Sequence, residues 1–592
     1  MKKYIIHSIA AILTLLAFST SCGKFDDMSK NPYALYEAPS ESFVHPIMFK
    51  IQYNLISEFR SLTAPLMQYA VSVNSEVSSR VVDNYNIPEA TTDDIWSAFY
   101  LQWGNAMVMH QTAIQEDNKP MQGVALIIKA FLMTHITDTY GDVPFKDAGK
   151  LSISDELGTY TTAYDSQKDI YREVICMLED ANEMLEVTEK SAFSAVCDKV
   201  YNGEFDKWRR FGNSLYARVL MRVAMKVIEE DGGVLELNDK WEAVSVTQKL
   251  GELYASFQSG GGDYPQMRSR ADRPLVPFST LNEVEHTPFF TTTSGNWNVL
   301  AVSDVLVQHM LDTDEKVDSD GVTYHAYKPS KYNVLSPGTG RVEDPRYDSW
   351  WKKANGMPVH LLNDARTRFL ESAEHKSQAG NSKVGRMVRG TNPTTGLEEP
   401  SAIWGHVYDL QNASYYPLMQ YSELAFIYAE AGARGWVNSL AGLGAYMNLY
   451  KLGITESILE WNPYVTADDA MVVDYVNYCL NGAKYSGSTF NSDNALEAIL
   501  TQKWIAQFFI GIESWCDYRR TGYPILKTNG PAAANNQILP TRMRYPSDEL
   551  YRNPEAYPAA LDRWLGGTNN NTTDVWWADT QESYQIRLKG RL

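Results

Sequence analysis

The residues best suited to binding a ligand are aromatic, amide and guanidinium side chains in predicted loops. Trp and Tyr rings stack on the apolar faces of sugar rings, while Asn and Arg form hydrogen bonds with hydroxyl groups. The candidates are Arg80, Tyr85, Trp297, Asn298, Tyr347, Trp350, Trp351 and Trp404. Core packing or contact with a partner protein would explain any single one at least as well. The prediction therefore concerns the group: some of these side chains line a ligand site.

Motifs for catalysis are absent from the sequence. It contains no HExxH, GxSxG, P-loop or GxGxxG pattern, and its ten histidines are scattered without metal-ligand spacing. Carboxylate pairs of the kind that hydrolyse glycosides are expected by chance among 72 acidic residues, and none stands out. We therefore predict a binding protein with no catalytic site and no cofactor. A surface glycoside hydrolase is the alternative.

One acidic run has the residue types of a calcium site. Asp312 and Asp314 are followed by Asp318, Asp320 and Gly321. Clustered carboxylates suit a hard cation such as Ca²⁺, but the run lacks the ligand spacing of an EF-hand and its closing Glu. A solvated acidic turn is the preferred interpretation, and a calcium site is the alternative.

The overall charge argues against a nucleic-acid partner. The formal net charge is -19, whereas proteins that hold nucleic acid independently of its sequence carry basic patches. The hydrophobic content of 44% is sufficient for a large core. The five cysteines form no CxxC pair, so no zinc or redox motif is predicted, and any disulfide pairing stays open.

The N-terminus has the features of a lipoprotein signal. Lys2 and Lys3 precede an apolar run over residues 5–18 that is too short for a membrane span. Cys22 follows in a Ser-Thr-Ser-Cys sequence that resembles a bacterial lipobox, although Ser19 stands where an aliphatic residue is usual. We predict a signal peptide over residues 1–21, lipidation at Cys22 and a tether over residues 22–39. A secreted protein with a free thiol is the alternative.

The rest of the chain is predicted to form one mainly α-helical domain over residues 40–592. Residues 40–259 and 415–592 carry apolar residues at helical spacing and form the scaffold. Residues 260–414 are rich in Pro and Gly and contain one clear helix, near residues 302–311. This insertion is predicted to be irregular and rich in loops, and to lie on the ligand side.

The stretch over residues 494–524 is predicted to be one long helix around which the chain is organised. Apolar residues occupy two of its faces, which predicts burial between other elements. Asn494 and Glu497 are a predicted capping pair, and Gly522 with Pro524 is a predicted stop signal.

Two sets of arginines are predicted to have structural roles. Arg519 and Arg520 follow Asp517 near the end of the central helix, where buried charges need partners. Arg218 and Arg222 recur at helical spacing, and we expect them to pair with helix ends or carboxylates. A catalytic role for Asp517 and its neighbouring arginines is the alternative.

Several stretches resemble the SusD/RagB-like nutrient-binding outer-membrane lipoproteins, in particular the SusD-like branch. The strongest are FLMTHITDTYGDVPF over residues 131–145, YPLMQYSELAFIYAEAGARGW over 416–436, and the central stretch that ends in WCDYRRTGYP at residue 524. Residues 208–222, 390–405 and 538–546 add to the resemblance, which spans nearly the whole chain after the signal. No clean 34-residue repeat is present in the sequence. The tetratricopeptide-like scaffold is therefore implied by the family resemblance alone and not by an internal repeat.

The resemblance implies a lipid-anchored protein on the outer face of the outer membrane. Such a protein binds a nutrient, foremost a glycan, and delivers it to a SusC-like TonB-dependent transporter. Asp26 and Asp27, just after Cys22, resemble the acidic signal that sends Bacteroidetes lipoproteins to the cell surface. The resemblance transfers no ligand residues, because members differ at the ligand site. A peptide-binding member of the family and a helical scaffold without a small ligand are the alternatives.

Overall fold

The computed structural model describes most of the chain after residue 37. The described residues are 38–72, 82–150, 153, 162–186, 193–277, 300–311, 313–327, 342, 344–347, 356–372, 389–391, 398–400, 418–462, 465–481 and 489–590.

From residue 89 onward, the helices of the first part pack one on the next in chain order. The helices of this part are α1 (Val44–Glu58), α2 (Ala64–Leu66), α3 (Glu89–Gln115), α4 (Lys119–Tyr140), α5 (Gln167–Met184), α6 (Phe205–Asp231) and α7 (Val246–Ser259). A π-helical turn, Phe59–Thr63, joins α1 to α2. Each helix from α3 to α6 contacts its successor, which is the arrangement of stacked helical hairpins.

Helices of the last part complete the scaffold. The α-helices described in the insertion are α8 (Asp304–Met310) and α9 (Asn363–Glu371). Those that follow are α10 (Tyr421–Ala433), α11 (Leu443–Trp461), α12 (Ala470–Asn481), α13 (Ala495–Ala506), α14 (Gly511–Thr521), α15 (Glu549–Arg552), α16 (Ala556–Trp564) and α17 (Gln581–Lys589). Helix α10 packs against α11, α13 and α6, so it joins the two parts of the scaffold. The prediction of a mainly α, tetratricopeptide-like scaffold is confirmed. None of the described helices is long and apolar enough to cross a membrane.

The described strands are short and pair in antiparallel twos. The pairs are β1 (Ala70–Ser72) with β6 (Leu300–Val302), β2 (Val143–Pro144) with β3 (Tyr164–Asp165), β4 (Val234–Glu236) with β5 (Ala243–Ser245), β7 (Thr313–Val317) with β8 (Thr323–Tyr327), and β9 (Arg389–Thr391) with β10 (Glu398–Pro400). The predicted helix near residues 302–311 is confirmed as α8. A second helix of the insertion, α9, was not predicted because its sequence, NDARTRFLE, is mostly polar and has no apolar stripe.

The prediction of one long helix over residues 494–524 is wrong. Helix α13 ends at Ala506 and α14 begins at Gly511, and between them Phe509 takes a φ of +72°. The apolar pattern continues across the break, so periodicity could not reveal it. Its cause is tertiary: the rings of Phe508 and Phe509 pack against Phe59, with centroids 5.3 Å and 5.1 Å away.

Of the two predicted ends of this stretch, the capping pair at the start is wrong and the stop at Gly522 is confirmed. Asn494 does not cap α13, because its side chain accepts a hydrogen bond from the backbone N–H of Asn491 at 2.9 Å. Gly522 ends α14 in the left-handed conformation, at a φ of +80°, as predicted for a helix stop.

The predicted structural roles of the arginines are confirmed. Arg520 pairs with Glu430 at 2.5 Å and with Asp517 at 2.7 Å, and Lys503 approaches Asp517 to 2.9 Å. All four side chains are buried. The network ties α14 to α10 and α13, which explains why so many charges lie at a buried helix end.

The arginines of α6 bind carboxylates of three other helices. Arg218 donates to Glu423 of α10 at 2.7 Å, and Arg222 pairs with Asp138 of α4 and with Glu513 of α14. These contacts fix α6 between both parts of the scaffold. The charges serve the assembly of the helices, since each has a buried partner of opposite sign.

Candidate ligand-binding site

The β1–β6 ladder brings two loop segments to one place. In its antiparallel register Ser72 pairs with Leu300 and Ala70 pairs with Val302. The chain leaves β1 at Ser72 toward residues 73–81, which include Arg80, and enters β6 at Leu300 from residues 278–299, which include Trp297 and Asn298. Both segments therefore meet the described structure at the same end of the ladder.

A buried ion pair clamps the two ends of the 73–81 segment. Arg366 of α9 donates to the carboxylate of Asp83 at 2.8 Å and to the carbonyl oxygen of Ser72. The backbone N–H of Ser72 in turn donates to Asp83 at 3.3 Å. The side chains of Arg366 and Asp83 are 0% exposed. Since a buried charge is tolerated only with its partner, this pair sets the spacing of the two ends.

A third segment ends beside the same ladder. Residues 348–355, which include Trp350 and Trp351, lead into Gly356. A Cβ at Gly356 would lie 2.4 Å from Asp304 Cα, so a side chain there would collide with α8. Met357 donates its backbone N–H to Val302 of β6 at 2.9 Å. We call Ser72, Asp83, Leu300, Gly356 and Arg366 the loop junction.

A neutral histidine supports the loop junction from the scaffold side. The Nε2 atom of His360 donates to the carbonyl oxygen of Lys527 at 2.9 Å and lies 3.2 Å from the hydroxyl oxygen of Tyr85. Burial lowers the pKa of His360, despite the backbone acceptor and the charge of Asp83, which raise it. The imidazole is therefore neutral near pH 7 and acts as a fixed hydrogen-bonding group.

Lys527 is a cation near the loop junction whose side chain reaches solvent. Its ammonium lies 3.0 Å from the Oδ2 atom of Asp304, and its side chain is 47% exposed, whereas that of Asp304 is buried. The Oδ1 atom of Asp304 accepts the backbone N–H of His325 at 2.6 Å. A ligand near the loop junction would meet an ion pair of zero net charge here.

The two described candidates among the predicted ligand residues are buried. Tyr85 is 2% exposed and Tyr347 is 0% exposed. Tyr85 packs edge-on against His360, and Tyr347 donates its backbone N–H to Asp344, which forms a buried pair with Arg346. In this structure neither ring has a face open to a ligand, so both contribute packing that holds loop ends in place.

The other predicted site residues lie outside the described part of the chain. They are Arg80, Trp297, Asn298, Trp350, Trp351 and Trp404, together with the lipidation site Cys22. Their roles stay predictions. Sequence reasoning missed Asp83, Arg366, Asp304, His360 and Lys527, because contacts between positions hundreds of residues apart leave no signal in local spacing.

The acidic run proposed for calcium forms a tight turn where it is described. The Oδ1 atom of Asp318 accepts the backbone N–H groups of Asp320 and Val322, each at 2.9 Å, between β7 and β8. Gly321 takes a φ of +81° there, as such a turn requires. Among the described residues no group of three or more metal-ligating side chains occurs.

The fold is thus a helical-repeat scaffold that holds several loop ends at one junction. The family model SusD-like, described as starch-binding and associating with the outer membrane, matches residues 32–249 and 314–546, about three quarters of the chain. The chain belongs to this SusD-like family. No curated protein sequence matches it.

Solved structures show the same fold at low sequence identity. A SusD homologue from Parabacteroides distasonis has a TM-score of 0.66 at 19% identity, over 90% of this chain and 97% of that chain. A chitin-binding SusD homologue from Flavobacterium johnsoniae gives 0.64 at 19% identity, over 92% and 99%. A SusD homologue from Bacteroides uniformis gives 0.63 at 21% identity, over 92% and 100%.

Proposed function

We propose that this protein captures a glycan at the cell surface and delivers it to a TonB-dependent outer-membrane transporter of the SusC-like kind. The description of the matching family, starch-binding and associating with the outer membrane, supports the ligand class and the location. A homologue of the same fold is described as chitin-binding, which supports a polysaccharide ligand. Peptide is the competing ligand class, and the binding experiment below separates the two.

The observation that carries the proposal is the convergence of loop ends at the loop junction. Arg80 is two residues from Val82, Trp297 three residues from Leu300, and Trp351 five residues from Gly356. An extended chain spans at most about 3.5 Å per residue, so these side chains start within roughly 18 Å of described residues at the junction. That distance is comparable to the length of a short oligosaccharide, and aromatic rings within it could stack on successive sugars.

The described charges at and near the loop junction favour a neutral ligand. The two charged residues of the junction, Arg366 and Asp83, pair with each other, and the neighbouring Lys527 pairs with Asp304. A ligand carboxylate or phosphate would compete with Asp83 or Asp304 for those cations, whereas a neutral glycan would leave the pairs intact. Recognition then depends on stacking and on hydroxyl hydrogen bonds, which need no net charge.

Binding is tested with the full chain and a panel of starch, chitin and cellulose oligosaccharides and unrelated peptides. We expect one glycan to bind in the micromolar to millimolar range, without release of new reducing ends. Trp297→Ala, or Trp350→Ala with Trp351→Ala, should weaken it about fivefold or more, since one stacked ring contributes about 1 kcal/mol or more. The matched control is Trp241→Ala, a partly buried tryptophan of the β4–β5 turn that bonds to Asp180. Binding of peptides only, or hydrolysis of the glycan, would refute the proposal.

Anchoring through Cys22 is a separate part of the proposal. Cys22→Ala should move the protein from the membrane fraction to the soluble fraction and abolish palmitate labelling. Asp26→Ala with Asp27→Ala should keep the label but reduce digestion by protease added to whole cells. Unchanged membrane retention and labelling of Cys22→Ala would contradict lipidation at this residue.

A further inference from the structure

A concave pocket lies between α14, α17 and the connection that follows α14. It offers about 100 Å³ of space to the centres of water molecules. One water needs about 10–15 Å³ by this measure, so the pocket holds on the order of half a dozen waters or more. A single pyranose ring displaces a similar amount of solvent. None of the five residues of the loop junction lines this pocket.

The walls of the pocket differ in polarity. Ile538, Leu539 and Leu588 supply apolar surface, and Thr528, Thr541 and Thr572 are threonines whose side chains carry hydroxyl groups. A pyranose ring has the same two kinds of surface: an apolar face of C–H groups and a polar rim of hydroxyl groups. Tyr584 of α17 also lines the pocket and is 50% exposed, so its ring can cover a ligand from the solvent side.

The charge in the pocket is internally balanced. Arg587 donates from both terminal nitrogens to the carboxylate of Asp574, at 2.7 Å and 2.6 Å. This two-point pairing is the strong form of a guanidinium–carboxylate contact, and it leaves no net charge for an anion to neutralise. A neutral ligand with hydroxyl groups suits the pocket better than a phosphate or a carboxylate.

Two polar atoms of the lining residues lack hydrogen-bond partners within the described chain. They are the Oγ1 atom of Thr528 and the Nε atom of Arg587, and both are buried. Buried polar atoms are normally satisfied, and leaving one without a partner costs free energy. They are one N–H donor and one hydroxyl that are closed to solvent as the side chains lie, so a ring hydroxyl in the pocket could pair with them only after the Thr528 and Arg587 side chains adjust.

We propose that this pocket is a second binding site, which takes one ring of a neutral sugar or a polyol of similar size. It does not depend on the proposed function of the loop junction, because its argument rests on its own walls, charge balance and unpaired polar atoms. A single small ligand in a half-open pocket binds weakly, so affinity in the millimolar range is expected.

The test uses the full chain with isotope-labelled isoleucine methyl groups. The Ile538 signal, assigned through Ile538→Val, reports on the pocket during titrations with D-glucose, N-acetyl-D-glucosamine and sodium phosphate up to tens of millimolar. We expect a saturable shift with at least one sugar and none with phosphate. Thr572→Val and Tyr584→Ala should each weaken this binding about threefold to tenfold, as the loss of one hydrogen bond or ring contact does.

Controls separate this site from the loop junction. Tyr551→Ala replaces a tyrosine that is 80% exposed on α15 and is expected to change nothing. Trp297→Ala should leave the Ile538 shift intact, and Tyr584→Ala should leave oligosaccharide binding at the loop junction intact. The inference is overturned by an Ile538 signal that no sugar shifts, by an equal response to phosphate, or by pocket variants that respond like the parent protein. None of these outcomes would bear on the loop junction.

Discussion

The ion pair between Arg366 and Asp83 is the residue contact on which the loop junction depends most. Both side chains are fully buried, and together with the carbonyl oxygen of Ser72 they hold the two ends of the segment that contains Arg80. The two positions are 283 residues apart in the chain. No spacing rule connects residues at that distance, so the pair could not be predicted from the sequence.

Removing one partner of this pair should be costly. Arg366→Ala leaves the carboxylate of Asp83 buried without its cation, and we expect a loss of about 3–5 kcal/mol in the free energy of unfolding. Chemical denaturation measures it. The matched control is Arg552→Ala, because Arg552 pairs with Asp548 at 3.0 Å on the surface and should cost at most about 1 kcal/mol. Equal losses in the free energy of unfolding for the two substitutions would mean that the buried pair stabilises the fold no more than a surface pair does.

A second buried pair should make stability depend on acid pH. Burial alone would raise the pKa of Glu430, but the guanidinium of Arg520 and its hydrogen bonds lower it to about 2. Since the folded-state pKa lies below that of the unfolded chain, this carboxylate stabilises the fold above a pH of about 4.5. We expect about 3 kcal/mol of this stability to be lost as the pH falls from about 5 to about 2.

The acid dependence is checked by unfolding the parent protein and Glu430→Gln across that range. The variant should be less stable at neutral pH and should lose less stability on acidification. Glu582→Gln is the control, because Glu582 pairs with Arg434 near the surface and is partly exposed. Parallel curves for the parent protein and Glu430→Gln would contradict the low pKa of Glu430.

At the scale of elements, the sequence predicts helices well and breaks in helices poorly. Helix α3, Glu89–Gln115, lies within the predicted scaffold of residues 40–259, where apolar residues recur at helical spacing. The break between α13 and α14 was missed because the residues there are as apolar as those of the flanking helices. Contacts with the π-helical turn Phe59–Thr63 decide that break, and local pattern carries no information about them.

Gly511 tests the cause of this break. A Cβ at Gly511 would lie 2.3 Å from the Oγ1 atom of Thr63 and 2.7 Å from its Cβ, so α14 can begin here only without a side chain. Gly511→Ala should lower the free energy of unfolding by about 1–3 kcal/mol through overpacking. Gly251→Ala, in the interior of α7 with open space around it, should instead raise it by about 0.5–1 kcal/mol. A neutral Gly511→Ala would show that the contact with Thr63 does not fix the break.

At the scale of the whole molecule, the fold class could be predicted from helical periodicity together with the family resemblance. The position of the site could not be predicted from either. Periodicity over residues 40–259 and 415–592 predicts a helical scaffold that buries one large core, which the structure confirms. The loop junction, where we propose the site, lies where β1, β6 and α9 meet, and these elements are far apart in the chain. The loop aromatics could be predicted as candidates because stacking depends on residue type, but their assembly depends on long-range pairing.

The crystal structure of the full chain with the oligosaccharide selected from the binding panel tests the central claim most directly. Our proposal predicts sugar rings stacked on Trp297 or on Trp350 and Trp351, beside Ser72 and Leu300 at the end of the β1–β6 ladder. The ligand should keep its glycosidic bonds, and the Arg366–Asp83 pair should be unchanged. A ligand bound elsewhere on the scaffold, with no contact to these tryptophans, would contradict the assignment of the loop junction as the glycan-binding site.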